Sequence, residues 1–313
     1  MVDASPWELA TLLSKLVVYA GFVSFSGVLF VFWLGSRPAT QASKGVASHW
    51  SVAARRRLVS RTLLTGSVAL VALLLYFLLQ VGMINQNGLR GMFDAFMAGI
   101  LLQSSVGYGV ILRFAALLLP LTGLWLGRRL LLAPQSARLA PRLLVSWLVG
   151  LLLFSVSFAV LGHVVNLSLL AQLAVVVHTL AISLWVGSLW ALYVLCRQES
   201  ADLVLPVLRR FGVWGWGITG ALVVTGGYLL TQLVEAPGDM LATPYGQLLS
   251  AKIVLVLALL SLGALNKFHL VPALEAAGAE RLCTSIAGER ALVLLILILT
   301  ACLTTLTGPS HMN

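Results

Sequence analysis

The side chains whose types and spacing suit chemistry are imidazoles and thioethers. His163 closes one long apolar run and His178 stands inside the next, with a short turn near Asn166 between them. Met92, Met97 and Met240 fall in short segments between apolar runs, as does Met83, and His311 adjoins Met312 at the C-terminus. Neutral imidazole nitrogen and thioether sulfur suit copper, with sulfur favouring Cu(I), better than they suit hard cations. Cys196, Cys283 and His269 make a second set of soft or borderline donors near the opposite ends of the runs, where an exit site for Cu(I) is one reading. No CxxC or finger spacing supports a zinc site. A blander reading stands beside each group. A histidine in a bundle can satisfy a carbonyl, methionine can fill interfacial helices, and thiols can simply stay reduced. His49, on a basic loop, needs only solvent.

The elements that carry these groups are set by composition. The chain is 60% hydrophobic and 10% charged, with mean hydropathy +1.00. Soluble domains carry roughly 25% charged residues, so a globular cytosolic protein is excluded. Apolar windows near 15–34, 62–82, 104–127, 143–164, 168–195, 212–233, 248–266 and 291–307 are each close to the ~20 residues that a bilayer crossing needs. The expected fold is all-α, a polytopic integral membrane bundle of about eight transmembrane helices. The net charge of +10 does not indicate nucleic acid, because the charges cluster in short loops between apolar runs.

Those clusters give the orientation. Arg37, Lys44, Arg55, Arg56, Arg57 and Arg61 share one loop, Arg128, Arg129, Arg138 and Arg142 the next but one. Arg197, Arg209 and Arg210, then Lys267, Arg281 and Arg290, continue the alternation. The other loops hold only Arg90, with Lys15 at the mouth of the first run. Basic loops face the cytoplasm, so both termini are expected in the periplasm of a bacterial inner membrane. Residues 1–14 lack a basic n-region, and no cleavable signal peptide is expected.

Counting 1.5 Å per residue from the basic anchors gives depth. His163 lies roughly 31 Å from Arg142 and His178 roughly 28 Å from Arg197, which puts both at the periplasmic face. Counting from Asn166 instead puts His178 about 18 Å down, and a tilted or overlong fifth helix reconciles the two. Arg113 and Lys252 lie about 22 Å from their anchors, in the periplasmic third of the core. As structural or gating charges they call for acidic partners, and Asp94, Glu235 and Asp239 are the candidates on that side; snorkelling to the interface is the alternative. The surroundings of Arg113 and Lys252 are alike, as are Arg56-Arg57-Leu58 and Arg209-Arg210-Phe211. The expected arrangement is two parallel four-helix repeats, residues 1–165 and 166–313.

Gly162-His163, the stretch from His178 to Trp185 and Gly187, and Tyr245-Gly246 with Lys252 resemble the motifs of the CopD/PcoD copper-resistance membrane proteins. Arg210-Phe211, Asn266-Lys267 with Pro272, Glu289-Arg290 and the segment ending at Pro309 extend the resemblance. It covers the second half densely, as a CopD-like core, and the first half in general layout. It implies an inner-membrane protein that takes copper from the periplasm, with His163 and His178 as ligands. It also implies a CopC-like periplasmic copper-binding protein as partner, expected as a separate polypeptide. Binding and movement of copper across the membrane toward the cytoplasm is then the expected function, rather than enzymatic bond-making. Membrane lipid is the surrounding medium. Passive capture or sensing is a sub-alternative, because few soft ligands lie at mid-membrane. The His178–Trp185–Gly187 and Lys252 pattern is similar also to four-helix protoporphyrinogen oxidases, so a haem-binding oxidoreductase remains the second reading, with Lys252 or Arg113 on the haem propionates.

Overall fold

The structure, a computed structural model, describes residues 5–37, 46–133, 139–234 and 238–305. Among them, eight helices are long and apolar enough to cross a membrane. In chain order these are α1 (Pro6–Ser36), α2 (Val52–Asn85), α3 (Ser105–Leu132) and α4 (Pro141–Ala159). The second half adds α5 (Leu169–Gln198), α6 (Ala201–Leu233), α7 (Pro244–Leu265) and α8 (Glu280–Thr305). No strand occurs among the described residues. The fold is an all-α polytopic bundle, as the apolar runs require.

Helix starts are written locally. Ser5 accepts from the Glu8 amide while the Glu8 carboxylate returns to the Ser5 amide at 2.8 Å, a capping box. Ser51, Ser104, Ser168 and Thr243 cap α2, α3, α5 and α7 in the same way, each accepting from an amide of the first turn. Pro141 and Pro244 open α4 and α7, where the missing N–H costs nothing. Two boundaries differ from the apolar windows. Helix α4 stops at Ala159, Leu161 is extended, and Gly162–Asn166 form a 3₁₀ turn, so His163 sits in a connection instead of a span. Helix α8 starts at Glu280, well before residue 291, and so carries Glu289 and Arg290 within its length.

Helix α1 is the hub and packs on α2, α5 and α8. Its crossing with α5 is made by two glycines. A Cβ built on Gly27 would stand 1.8 Å from the Gly187 carbonyl carbon, and one on Gly187 would stand 1.9 Å from the Val23 oxygen. In a bilayer, small residues at a crossing let backbones approach closely and gain the dispersion that drives association. In the first half, α2 packs on α3 and α3 on α4. In the second, α5 packs on α6 and α8, and α8 on α7, while α6 and α7 share no broad contact. A cavity of ≈ 610 Å³ lies between them, toward the basic end.

Basic side chains at that end also cap helices. Buried Arg55 donates from Nη1 to the Ala133 and Leu131 carbonyls, at 2.6 and 3.4 Å, closing α3. Arg210 does the same for α1 through Leu34 and Arg37, at 2.7 and 2.6 Å. Cations are favoured against the carbonyl end of a helix dipole.

Candidate functional site

His178 lies about two and a half turns inside α5, roughly 13 Å from Leu169. Its ring faces α6, with Nδ1 at 3.0 Å from the Thr225 hydroxyl and Gly226 beside Cε1. The Thr225 hydroxyl donates its proton to the Ala221 carbonyl at 2.5 Å. Its oxygen is therefore left to accept, and the Nδ1 proton is what it accepts. That fixes the neutral tautomer in which Nε2 carries a free lone pair, the form that binds a metal. Gly226 has no side chain to press on the imidazole, since a Cβ there would stand 3.2 Å from Cε1.

The backbone of His163 belongs to the 3₁₀ turn Gly162–Asn166, which Gln172 ties to α5 by donating to the Val165 and Leu167 carbonyls at 3.1 and 3.2 Å. The His163 side chain lies outside the described residues, as do His311, Met312, Glu235 and the Asp239 side chain. The turn precedes α5, so His163 is at its mouth and His178 is deeper along the same connection. Among the described residues, no three His, Cys, Asp or Glu side chains group closely enough to hold a metal ion.

The methionines divide. Met92 is buried, packed on the α2 terminus where a Cβ on Gly82 would meet it at 2.7 Å, so it fills space. Met97, on the short helix Ala95–Leu102, is half-exposed. Met240 is half-buried, and its carbonyl accepts from Ser250 at 3.1 Å.

Arg113 is placed differently from the pairing with an acid expected for it, whereas Glu235 and the Asp239 side chain, expected near Lys252, lie outside the described residues. Arg113, 3% exposed, donates from Nε to Ser157 at 2.9 Å and stacks over Phe158 and Tyr19, with centroids 4.6 and 5.4 Å away. Asp94 instead caps the short helix at the Met97 amide, 3.0 Å away, and accepts from Asn85 at 3.3 Å. A hydroxyl and two ring faces thus hold the buried guanidinium, and no carboxylate pairs with it among the described residues. Lys252 is half-buried and within electrostatic reach of His178, likewise without a carboxylate partner among the described residues.

At the basic end, the cavity between α6 and α7 is lined by Trp185, Trp216, Asn266, Lys267 and Glu289 among others. Asn266 opens a π-helical turn, Asn266–Leu270, of the kind often found at functional positions. Lys267 donates to the Gly212 carbonyl at 2.6 Å and lies 4.0 Å over the Trp216 ring, bridging the cavity mouth. Glu289 is 2% exposed, and the Asn266 Oδ1 is buried without a hydrogen-bond partner. Cys196 and Cys283 are brought side by side near this end, whereas His269 is exposed on the π turn and forms no group with them. Sequence reasoning placed Asn266 and Glu289 in a family motif without a role, and it missed Thr225 altogether.

Comparison with known proteins follows this geometry. Residues 205–303 match the family of copper resistance protein D, CopD. That stretch holds Thr225, Lys252, Asn266, Cys283 and Glu289, and it begins beyond His178. Copper transport protein CutJ of Bacillus subtilis (strain 168) is 29% identical over 273 residues, 83% of this chain and 48% of that protein. The chain thus spans about half the length of the curated relative it matches. No solved structure matches. The resemblance to CopD carried by the motifs stands, and it is strongest in the second half.

Proposed function

We propose that the chain captures copper at the end of the bundle opposite the basic loops, with His178 as a fixed ligand, and passes it toward the basic end. The observation that carries this reading is the His178–Thr225–Ala221 relay, which holds the proton on Nδ1 and leaves Nε2 its lone pair, with no hydrogen-bond partner among the described residues. The CopD match and the copper-transport name of the relative support copper as the cargo. Basic loops face the cytoplasm in this reading, so capture is periplasmic, both termini are periplasmic, and the membrane is the bacterial inner membrane. His163, at the mouth of α5, is the proposed second ligand, and half-exposed Met97 and Met240 are thioethers near the same face. A separate CopC-like periplasmic protein is the proposed donor of copper.

Replacing both His163 and His178 by Ala tests the site. Copper bound at the outer site should be lost, read as fewer copper equivalents per purified chain, while the protein's level in the membrane holds. Normal binding by the double variant would refute the histidine site and leave the thioethers or the terminal residues to carry it.

One observation favours a second reading. Lys252 sits near His178 without a carboxylate among the described residues, which opposes a copper cation but suits a haem propionate. The absorption spectrum separates the two. A Soret band that disappears in His178→Ala would replace the copper reading with a haem-binding one, and its absence from protein purified without added metal supports copper.

A further inference from the structure

Two thiols meet where the copper path would end. Cys196 stands in the last turn of α5 and Cys283 in the first turn of α8, two helices that pack directly on each other. Both are free, at 5% and 4% exposed, and they lie in one buried cluster where each bears on the other electrostatically. Buried cysteine usually behaves as a small apolar filler. Filler accounts for either residue alone, but it does not require thiols from two helices to face each other within one cluster. Cys302, half-buried toward the far end of α8, has no such partner and is the internal contrast.

The surroundings select the ligand. Thiolate sulfur selects Cu(I) among the first-row metals a cell handles, together with zinc and iron–sulfur clusters. Structural zinc takes four ligands, and Fe–S clusters take four cysteines. Among the described residues, no third His, Cys, Asp or Glu completes a group here. A monovalent d¹⁰ ion is satisfied by two thiolates, and only Cu(I) fits that count. Binding replaces two S–H protons by one Cu(I), so two protons leave and the bis-thiolate complex carries one negative charge. Arg197, next to Cys196, acts on Cys283 electrostatically and offsets that charge, while Glu280, in the first turn of α8, acts in the opposite sense. Arg290 stacks on Trp190 and Tyr193 of α5 at 4.9 and 5.0 Å, adding positive charge to this end of the helix. The cavity lies next to them: Leu192, one turn before Cys196, and Leu282 and Ile286, flanking Cys283, all line it.

We propose that Cys196 and Cys283 form a two-thiolate Cu(I) site at the basic end of the bundle, where cargo from the cavity is held before release. The proposal rests on the copper reading for its cargo, but not on His178 as the outer ligand. Purified protein is titrated with Cu(I) under reducing, anaerobic conditions against a chromogenic Cu(I) chelator, while the ultraviolet thiolate-to-Cu(I) charge-transfer band is followed. Wild type, Cys302→Ser and His178→Ala should all show the band, and Cys196→Ser and Cys283→Ser should each lose it. Should either serine variant fail to fold, alkylation of the wild type read by mass spectrometry gives the answer: Cu(I) should protect Cys196 and Cys283 but not Cys302. The band surviving in Cys196→Ser or Cys283→Ser, or alkylation unchanged by Cu(I), overturns the site. Fewer copper equivalents in His178→Ala with the thiolate band kept in that same variant would concern the outer ligand alone.

Discussion

Replacing Thr225 by Val tests whether the His178 ring is held in its metal-binding form. Valine keeps the shape of threonine, so the contact between α5 and α6 persists and only the hydroxyl is lost. The oxygen that accepts the Nδ1 proton at 3.0 Å disappears, and with it the 2.5 Å donation to Ala221 that forces it to accept. An unpartnered imidazole N–H inside the bundle costs about 1–3 kcal/mol. The ring avoids this cost by moving its proton to Nε2 or by turning, and either change removes the lone pair from the metal. Loss of such a supporting partner typically lowers metal affinity about 10- to 100-fold. That corresponds to roughly 1.4–2.8 kcal/mol of binding free energy. The assay is competition with a copper chelator of known affinity, using wild type, Thr225→Val, Thr225→Ser and His178→Ala in the same detergent. Thr225→Ser keeps the hydroxyl and should bind as wild type does. Wild-type affinity at the outer site in Thr225→Val, alongside loss of that site in His178→Ala, would refute the tautomer argument while keeping His178 as a ligand.

The remaining predictions concern the frame. Gly187→Ala places a methyl 1.9 Å from the Val23 carbonyl oxygen, and Gly27→Ala collides with the Gly187 backbone at 1.8 Å. Backbone cannot yield as a side chain can, so each should cost at least the ~1–3 kcal/mol of ordinary overpacking, read as a lower unfolding temperature in detergent; an unchanged temperature would show that α1 and α5 cross elsewhere. Arg55→Ala removes two carbonyl contacts from a guanidinium that is 1% exposed, and should destabilise by about 1.5–3 kcal/mol. Arg56→Ala, on an exposed residue, should change little. Reporter fusions after residues 45, 135, 203 and 278 should all report cytoplasm, and one periplasmic result would overturn the orientation.

The parts of this molecule legible in the sequence are those written along one helix at a time. Span length and the clustering of Arg and Lys are linear properties, and so are caps such as Ser5 with Glu8. What depends on two helices meeting was not legible. Thr225 lies 47 residues beyond His178, and nothing in its own neighbourhood marks it as the group that orients an imidazole. Arg55 and Arg210 counted as topology charges, yet each also closes a neighbouring helix, because the carbonyls they reach belong to residues far along the chain. The expectation that Arg113 needs an acid assumed that only charge can satisfy a buried cation. Ser157, Phe158 and Tyr19 satisfy it with one hydroxyl and two ring faces. His163 was counted within a span because Val160 and Leu161 are as apolar as the helix before them. The extended backbone at Leu161 is what ends it.

The difference between the two halves indicates where function lies. In the first half, Phe22 stacks on Phe154 at 3.7 Å, and Arg113 is held by Ser157, Phe158 and Tyr19. Packing of α2 on α3 closes that side. The second half keeps the same central role for its first helix, since α5 crosses α1 glycine on glycine, but it departs at each later step. Its interior histidine is satisfied on one nitrogen only, its interior lysine has no carboxylate among the described residues, and α6 and α7 part around a cavity with a buried carboxylate at its wall. Each departure costs stability, because unsatisfied polar groups and voids inside a bundle are unfavourable. Buried polar atoms without a hydrogen-bond partner occur in both halves, Thr11 and Ser26 in the first and Ser183 and Asn266 in the second, so what sets the second half apart is the cavity and the histidine held from one side. A cargo moving from His178 toward Cys196 and Cys283, as proposed, would run along α5, which α1 holds in place through the Gly27–Gly187 crossing.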